Sequence, residues 1–520
     1  MKTLDFASYK DKVAGCWAGK NIGGVLGAPF EAKRQINDTV EFYTQDLSKG
    51  PPPNDDLDLQ IVWLAAAEKY GRHVNASILG EYWLSFIVPH WAEYGAGKSN
   101  MRAGITPPLS AAVDNPYCNS CGCFIRSEIW ACLAPGHPEI ASKYAFEDAS
   151  VDHAGEGAFG EVFFAALQSA AFVESDPREL IRIGLSYIPE DSAMARAIRE
   201  AVKCFDDGAS IAEARQRIHA TAPGSFGLQI CKLSQLSDKD PLTPHGEAGF
   251  DAPENCAFTI AGWLYGGGDF GKSICAANSF GEDTDCSCAT LGATLGIING
   301  ASGLPEKWTK PLDDRIETIC IDKSCGVWIP RTTAELSERV MRVTPIFLGR
   351  DFCDILAPGG YTIAVREGAE LAAEKYKGEH PDFINFLGNP KQLESADYVA
   401  QSPFLARYKF PAFDLDIDYE GSVFFKKGEP RAITVTARYN GLTRQPHWVT
   451  LTLFTPLGVK LVSGGTATLP LNYLWGSKAT ARFELDTSEF TGQKLELAVD
   501  ATLAGRHSSG TVKVMLLPEI

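Results

Sequence analysis

Gly292, Gly296 and Gly300 recur every four residues, directly after the segment Gly281-Glu282-Asp283-Thr284-Asp285-Cys286. In a helix that spacing is a single face, and each glycine costs a helix about 1 kcal/mol relative to alanine. A row of them implies that another backbone approaches this face closely, with Gly300 ending the helix. A second small-residue helix is expected over 12–27, where Ala14, Gly15, Ala18, Gly19, Gly23 and Gly24 read as a helix crowded by neighbours.

The mouth of the glycine-row helix carries two carboxylates one residue apart, Asp283 and Asp285. Far upstream, Asn54-Asp55-Asp56 stands the same way before a helix whose Leu57, Ile61, Leu64 and Ala65 share one face. One such pair alone could be a helix cap, because a helix N-terminus attracts anions. Two acidic helix mouths can face each other and hold one or two hard cations, Mg²⁺ or Mn²⁺. Carboxylates are too costly to bury unpaired. Segments 54–56 and 283–285 are therefore expected within about 10 Å of each other, since direct ligands bind hard cations at about 2.0–2.6 Å.

Composition narrows the function classes. The 520 residues exceed one ordinary domain. A net charge of −17 argues against a nucleic-acid partner, since phosphate contacts need clustered Lys and Arg. The N-terminus has no long apolar core between a basic start and a cleavage site, and no apolar run is long enough to span a bilayer. Neither a secretory signal nor a membrane partner is expected, and the fourteen cysteines read as reduced thiols in the cytoplasm. Cys118-x-x-Cys121-x-Cys123 lacks a matching second Cys/His pair, so it reads as buried or pocket-lining thiols rather than a zinc knuckle.

Helical patterns follow one another to about 303 and continue, as at 334–343, to about 375. The almost wholly apolar stretch 159–174 reads as a central buried helix. Prolines at 381, 390, 403 and 411 mark a connection over 376–411. From about Phe413 the period changes, and strands are expected over 432–439, 448–454, 479–485, 494–499 and 511–516. The predicted fold is mainly α: an all-helical domain over 1–375, the connection, and an antiparallel β-sandwich over 412–520. No cysteine follows Cys353, and the β-domain carries no cluster of acid, base or metal ligands, so it is expected to do no chemistry.

Three segments together resemble the ADP-ribosylglycohydrolase family, also called dinitrogenase-reductase-activating glycohydrolase-like. Gly23-Gly24-Val25-Leu26-Gly27-Ala28-Pro29-Phe30-Glu31 is similar to the family's opening helix and its Gly-x-Pro-x-Glu-like turn. Asn54-Asp55-Asp56 is similar to its Thr/Ser-Asp-Asp motif. Asp283-Thr284-Asp285-Cys286 is similar to its Asp-Thr-Asp-Thr motif, in the Asp-Thr-Asp-Cys form of a bacterial branch. The resemblance covers about 10–303 and leaves the β-domain outside. It implies an all-helical domain with a binuclear Mg²⁺ centre held by Asn54, Asp55, Asp56, Asp283 and Asp285, and it implies Glu31 beside the bound sugar. Two positions depart from the pattern. Asn54 replaces a hydroxyl ligand but still offers an amide oxygen. Cys286 replaces a threonine, and a thiol suits Mg²⁺ poorly, so Cys286 is expected to stay out of coordination.

Further candidates surround these motifs. In the turn over 148–157, Asp148 or Asp152 could cap the next helix. Alternatively Ser150, His153 and Gly155 bind substrate, as the family's equivalent loop lines its pocket. Asn255, with Glu254 and His245, is a second candidate wall. Arg126 could meet a phosphate or carboxylate, or form a surface ion pair. The implied reaction is metal-assisted cleavage of a glycosidic bond to ADP-ribose or a related ribosyl or glycosyl conjugate, with Glu31 and Asp283 as the catalytic groups. The substrate would be a small-molecule or modified-protein glycoside. The alternatives are a glycosidase for a small carbohydrate or nucleoside-like conjugate, and a non-catalytic ligand-binding member. The four aspartates and Glu31 weigh against the last.

Overall fold

The structure is a computed structural model that describes residues 2–37, 40–221, 236–237, 240–244, 249–324, 326–373, 402–440, 446–472, 477–504 and 509–519. The chain divides into two compact units, Met1–Glu394 and Ser395–Ile520. Most of the connection expected over 376–411 lies outside the described residues, and its end, Leu405–Phe410, is a strand.

All sixteen α-helices among the described residues belong to the first unit. Its opening helix, Phe6–Gly27, begins where Asp5 accepts a hydrogen bond from the Ser8 amide at 2.9 Å. It packs along the glycine-row helix, Thr284–Asn299. Four glycines of the first helix meet this partner in reverse order: Gly15 against Gly296, Gly19 against Gly292, Gly23 against Cys288 and Gly27 against Thr284. The two helices are therefore antiparallel, and the space between them has no room for a side chain. A Cβ on Gly19 would stand 2.0 Å from the Gly292 carbonyl oxygen, and one on Gly292 would stand 2.2 Å from that of Gly19. The Thr284 hydroxyl closes one end by donating to the Gly27 carbonyl at 2.9 Å.

Around this pair the core fills with large side chains. Trp17, Trp63, Trp83, Trp130 and Trp263 are all buried. The central helix runs Glu156–Ala171, and every residue after Glu156 is buried. Its N-cap is Gly155, not an aspartate, because Asp148 and Asp152 are engaged elsewhere. No helix of the described residues is long and apolar enough to cross a membrane.

The first unit is not wholly helical, which corrects the expectation. Lys2–Leu4, Thr362–Val365 and Cys353–Asp354 form a small antiparallel sheet with the middle strand central. Its strands are too short to show an alternating pattern, and the pairing joins the two ends of the unit, so no local signal announces it. A second short pair joins Leu236–Ser237 to Asp240–Pro244.

Among the described residues the second unit holds two five-stranded sheets. One orders Thr466–Leu471, His447–Phe454, Leu495–Leu503, Ser509–Pro518 and Phe424–Phe425, antiparallel except for the last pair. The other orders Lys460–Leu461, Lys478–Asp486, Arg431–Arg438, Phe413–Asp418 and Leu405–Phe410, antiparallel throughout. Alternate residues such as Ile433, Val435, Val449 and Leu451 are buried in one shared core. Threonines pair across the opposite faces, as Thr436 with Thr480 at 3.0 Å.

Because the helix seam leaves no room for a methyl group, Gly19→Ala and Gly292→Ala should each cost the first unit about 3 kcal/mol, the upper range for overpacking. Urea unfolding followed by tryptophan fluorescence measures this. An unchanged midpoint would show that the helices can separate freely.

Candidate active site

The seam brings distant carboxylates to one place. Gly24 faces the upstream acidic segment, where an added Cβ would lie 2.9 Å from Asn54 Nδ2 and 3.2 Å from Asp56 Oδ2. One turn further on, a Cβ on Gly27 would lie 2.5 Å from the Asp285 Cα. Oxygens of Glu31, Asp283 and Asp285 lie within 4.8 Å of one another. Asp56, Asp285 and the Cys286 thiol share that spacing, as do Cys121, Asp283 and Cys286.

These carboxylates are not acting as caps. The Asp58–Tyr70 helix has Leu57 at its N-cap, and Asp283 at the N-cap of Thr284–Asn299 makes no side-chain capping bond. Both oxygens of Asp56, Oδ1 of Asp283 and Oδ1 of Asp285 are buried without a hydrogen-bond partner. Burial, with Asp55, Asp283 and Glu128 nearby, pushes the Asp56 carboxyl up to about 8 even though Lys20 opposes the shift. Burial and then Asp283, Glu31 and Asp56 push Asp285 well above the usual carboxylate range. Converging carboxylates with several unpartnered buried oxygens are what a hard divalent cation takes. The residues present fit such an ion.

A buried polar network supports the cluster. Lys20 Nζ lies 3.1 Å from Glu128 and 3.4 Å from the Thr290 hydroxyl. Gln60 donates both to Glu128 at 2.9 Å and to the Asp56 carbonyl at 3.1 Å, which fixes the acidic segment from behind.

Glu31 follows the turn Ala28–Phe30 and is exposed. Burial, then Asp283, Asp55 and Asp56, raise it to about 8. Asn54 accepts from the Asp56 amide at 2.7 Å and extends its own amide to Asp285 at 3.4 Å. Asp55 accepts from the Tyr94 hydroxyl at 3.1 Å.

Asn255 donates to the carbonyls of Gly249 and Asp251, both at 2.9 Å, and accepts from the Asp283 amide at 3.0 Å, so it orients the acidic turn. Ser150 donates its hydroxyl to the Phe146 carbonyl. His153 lies buried between Ser120, at 3.0 Å, and Asp152, at 2.9 Å. Gly155 starts the central helix with φ 54°. His153 is not among the clustered donors, and His245 lies outside the described residues.

Arg126 is not a surface group. It is fully buried, 3.1 Å from Asp148, 2.8 Å from Asp152 and 3.7 Å from Glu161. Burial alone would raise Asp152, but Arg126 and His153 outweigh it and hold the carboxyl at about 2.

Sequence reasoning missed the contacts of two groups. The Cys121 thiol donates to Asp283 Oδ2 at 2.6 Å. Glu282, inside the acidic motif itself, sits at φ 67° with its carboxylate buried. It accepts from Arg34 at 3.0 Å and from Arg215, with His219 at 3.5 Å and Glu254 behind that histidine at 2.8 Å. Its amide donates to the Lys33 carbonyl at 3.0 Å, which fastens the loop carrying Glu31 to the acidic turn. The acidic motif marks Glu282, but nothing local to it shows that Arg34 and Arg215 are its partners.

A model of the family described as ADP-ribosylglycohydrolase matches residues 5–343. A solved structure described as an ADP-ribosylglycohydrolase-related protein complex is 16% identical, over 66% of this chain and 99% of its own, with a TM-score of 0.41. No curated protein matches.

The Glu282 network carries a pH signature. Burial opposes charge on His219, but Glu254 and Glu282 outweigh it and raise the imidazole from 6.5 to about 9. A raised histidine stabilises the fold fully below about pH 6.5, and that contribution is lost as pH climbs through about 9. The loss should be about 3 kcal/mol, at 1.36 kcal/mol per pH unit. Chemical unfolding of wild type and His219→Gln between pH 5.5 and 10 checks it (both limits about one unit outside the window). Parallel pH profiles for the two proteins would refute the assignment.

Proposed function

The chain belongs to the ADP-ribosylglycohydrolase family and is a hydrolase of glycosidic bonds, and on that premise we propose that it releases ADP-ribose, or a related ribosyl group, from a small molecule or a modified protein. The observation that supports this reading best is the convergence of Asp56, Asp283 and Asp285, with buried and unpartnered oxygens, beside the solvent-reaching Glu31.

Asn54, Asp55, Asp56, Asp283 and Asp285 would hold two Mg²⁺ ions, with Mn²⁺ as the alternative. Bound there, the ions would orient adjacent sugar hydroxyls and acidify a water. The protein's own groups supply the rest. Asn255 and Cys121 hold Asp283 in place from its amide and carboxylate sides. Gln60 holds the Asp56 backbone. Glu31 is the group free to move a proton, because it reaches solvent while burial, and then its acidic neighbours, lift it toward neutrality. In this reading Ser150, His153, Gly155 and Asn255 line the substrate pocket.

The second unit, with two sheets around one core, is read as an antiparallel β-sandwich that does no chemistry. The candidate ion-holding groups among the described residues all lie in the first unit. Every described cysteine is a free thiol, which fits a reducing, cytoplasmic compartment. The acidic net charge of −17 disfavours nucleic acid as partner.

The test is turnover by the Mg²⁺-loaded protein of ADP-ribosyl-arginine, ADP-ribosyl-serine, O-acetyl-ADP-ribose and a panel of aryl glycosides. An ADP-ribosyl substrate should be cleaved, and chelator should stop it. Glu31→Gln should lower kcat by about 10²–10⁴ with little change in KM. Asp56→Ala and Asp283→Ala should abolish turnover while the far-ultraviolet circular dichroism stays intact. Cleavage of aryl glycosides alone would move the substrate to carbohydrate conjugates. Near-normal turnover by both aspartate variants would place the chemistry elsewhere.

A further inference from the structure

The donors of the acidic cluster are of two chemical kinds. Glu31, Asp283 and Asp285 form an all-oxygen group whose outer member reaches solvent. The Cys121 and Cys286 thiols form a second group with Asp283, all three buried. Cys286 also shares the 4.8 Å spacing with oxygens of Asp56 and Asp285. The unpartnered oxygens of Asp56 and Asp283 are buried beside these thiols, so the sulfur side has acceptors that no donor satisfies.

Mg²⁺ takes oxygen and leaves thiols alone, whereas zinc-class ions bind thiolates and carboxylates together in a four-ligand shell. Cys286 alone gave no reason to expect sulfur coordination. The fold changes that by bringing Cys121, from a segment more than a hundred residues away, to the same carboxylate of Asp283.

We propose that Cys121 and Cys286, with Asp283, bind a thiophilic divalent cation of the zinc class in place of one of the two hard ions, while the oxygen group around Glu31 takes the other. Both thiols release their protons to solvent as the cation enters, because a coordinating thiol is deprotonated outright. The inference rests on the cluster's being a metal centre and is independent of which glycoside is cleaved.

The test uses the full chain, stripped of metal and titrated with Co²⁺ in a large excess of Mg²⁺. A thiolate-to-cobalt charge-transfer band should saturate at one equivalent, and Zn²⁺ but not Mg²⁺ should bleach it. Cys121→Ser and Cys286→Ser should each weaken Co²⁺ binding about tenfold or more, since even indirect contacts to a metal ligand are worth that much. The double variant should lose the band. Cys132→Ser, at a buried thiol beside Cys16, should keep it. Circular dichroism checks folding, and Cys286→Ala stands in if either serine variant misfolds. Absence of the band, or its survival in the double variant, overturns the proposal. ADP-ribosyl turnover with Mg²⁺ but no cobalt band would sink this inference alone. A band without such turnover would sink the substrate reading alone.

Discussion

Everything at the site depends on two helix backbones lying in direct contact. The seam between Phe6–Gly27 and Thr284–Asn299 is set by glycine faces on both sides, and a single methyl group would meet a carbonyl oxygen. Such contact fixes the relative height and rotation of the helices far more tightly than interdigitated leucines would, because no side-chain rotamer can absorb a shift. That rigidity carries over to function. Gly24 and Gly27 hold the acidic segments of both motifs against one helix end, so carboxylates that repel each other stay within 4.8 Å. The packing energy of the seam opposes that repulsion.

The interior holds other buried charges, and they differ from the site in one respect. Asp148, Asp152 and Glu161 each face Arg126, Glu128 faces Lys20, and Glu282 faces Arg34 and Arg215. Buried ions survive when paired, and breaking such a pair costs about 3–5 kcal/mol. Asp56, Asp283 and Asp285 have no ion pair among the described residues. Scaffold and site are thus separated by whether the countercharge is built into the chain. Lys20 does not blur this line, because Glu128, Thr290 and the surrounding amides of Gln60 and Gln168 absorb its ammonium and its partner.

What could be read from the sequence was whatever is periodic or adjacent. The glycine spacing announced close approach, although the identity of the partner helix emerges only from the pairing of Gly19 with Gly292. The acidic pairs were visible because each is two carboxylates side by side before a helix. Strands such as Arg431–Arg438 and Leu495–Leu503 were visible from their alternation. Thr466–Leu471 was not, because Pro470 interrupts it, and a proline is tolerated there since the strand lies at a sheet edge. Contacts between residues far apart in the chain left no local mark. Cys121 on Asp283, Arg34 on Glu282 and Leu4 against Ile363 all belong to this class.

The acidic turn itself shows how strain and charge combine. Gly281 has φ 75°, and a Cβ there would stand 1.8 Å from the Gln35 carbonyl, so only glycine fits. The next residue, Glu282, keeps φ 67° without being glycine, a conformation that costs an L-residue about 1–2 kcal/mol. Glycine would remove that cost and lose the carboxylate. The carboxylate joins Arg34 on the loop that carries Glu31 to Arg215 and His219 on the Ile211–Thr221 helix, and its backbone pairs with Lys33. Two consecutive left-handed residues also turn the chain so that the Asp283 amide reaches Asn255. Strain of this kind persists only where the surroundings over-determine it. Here they do so with one residue that grips the Glu31 loop and aims Asp283, so Glu31 and the acidic turn are set by the same anchor.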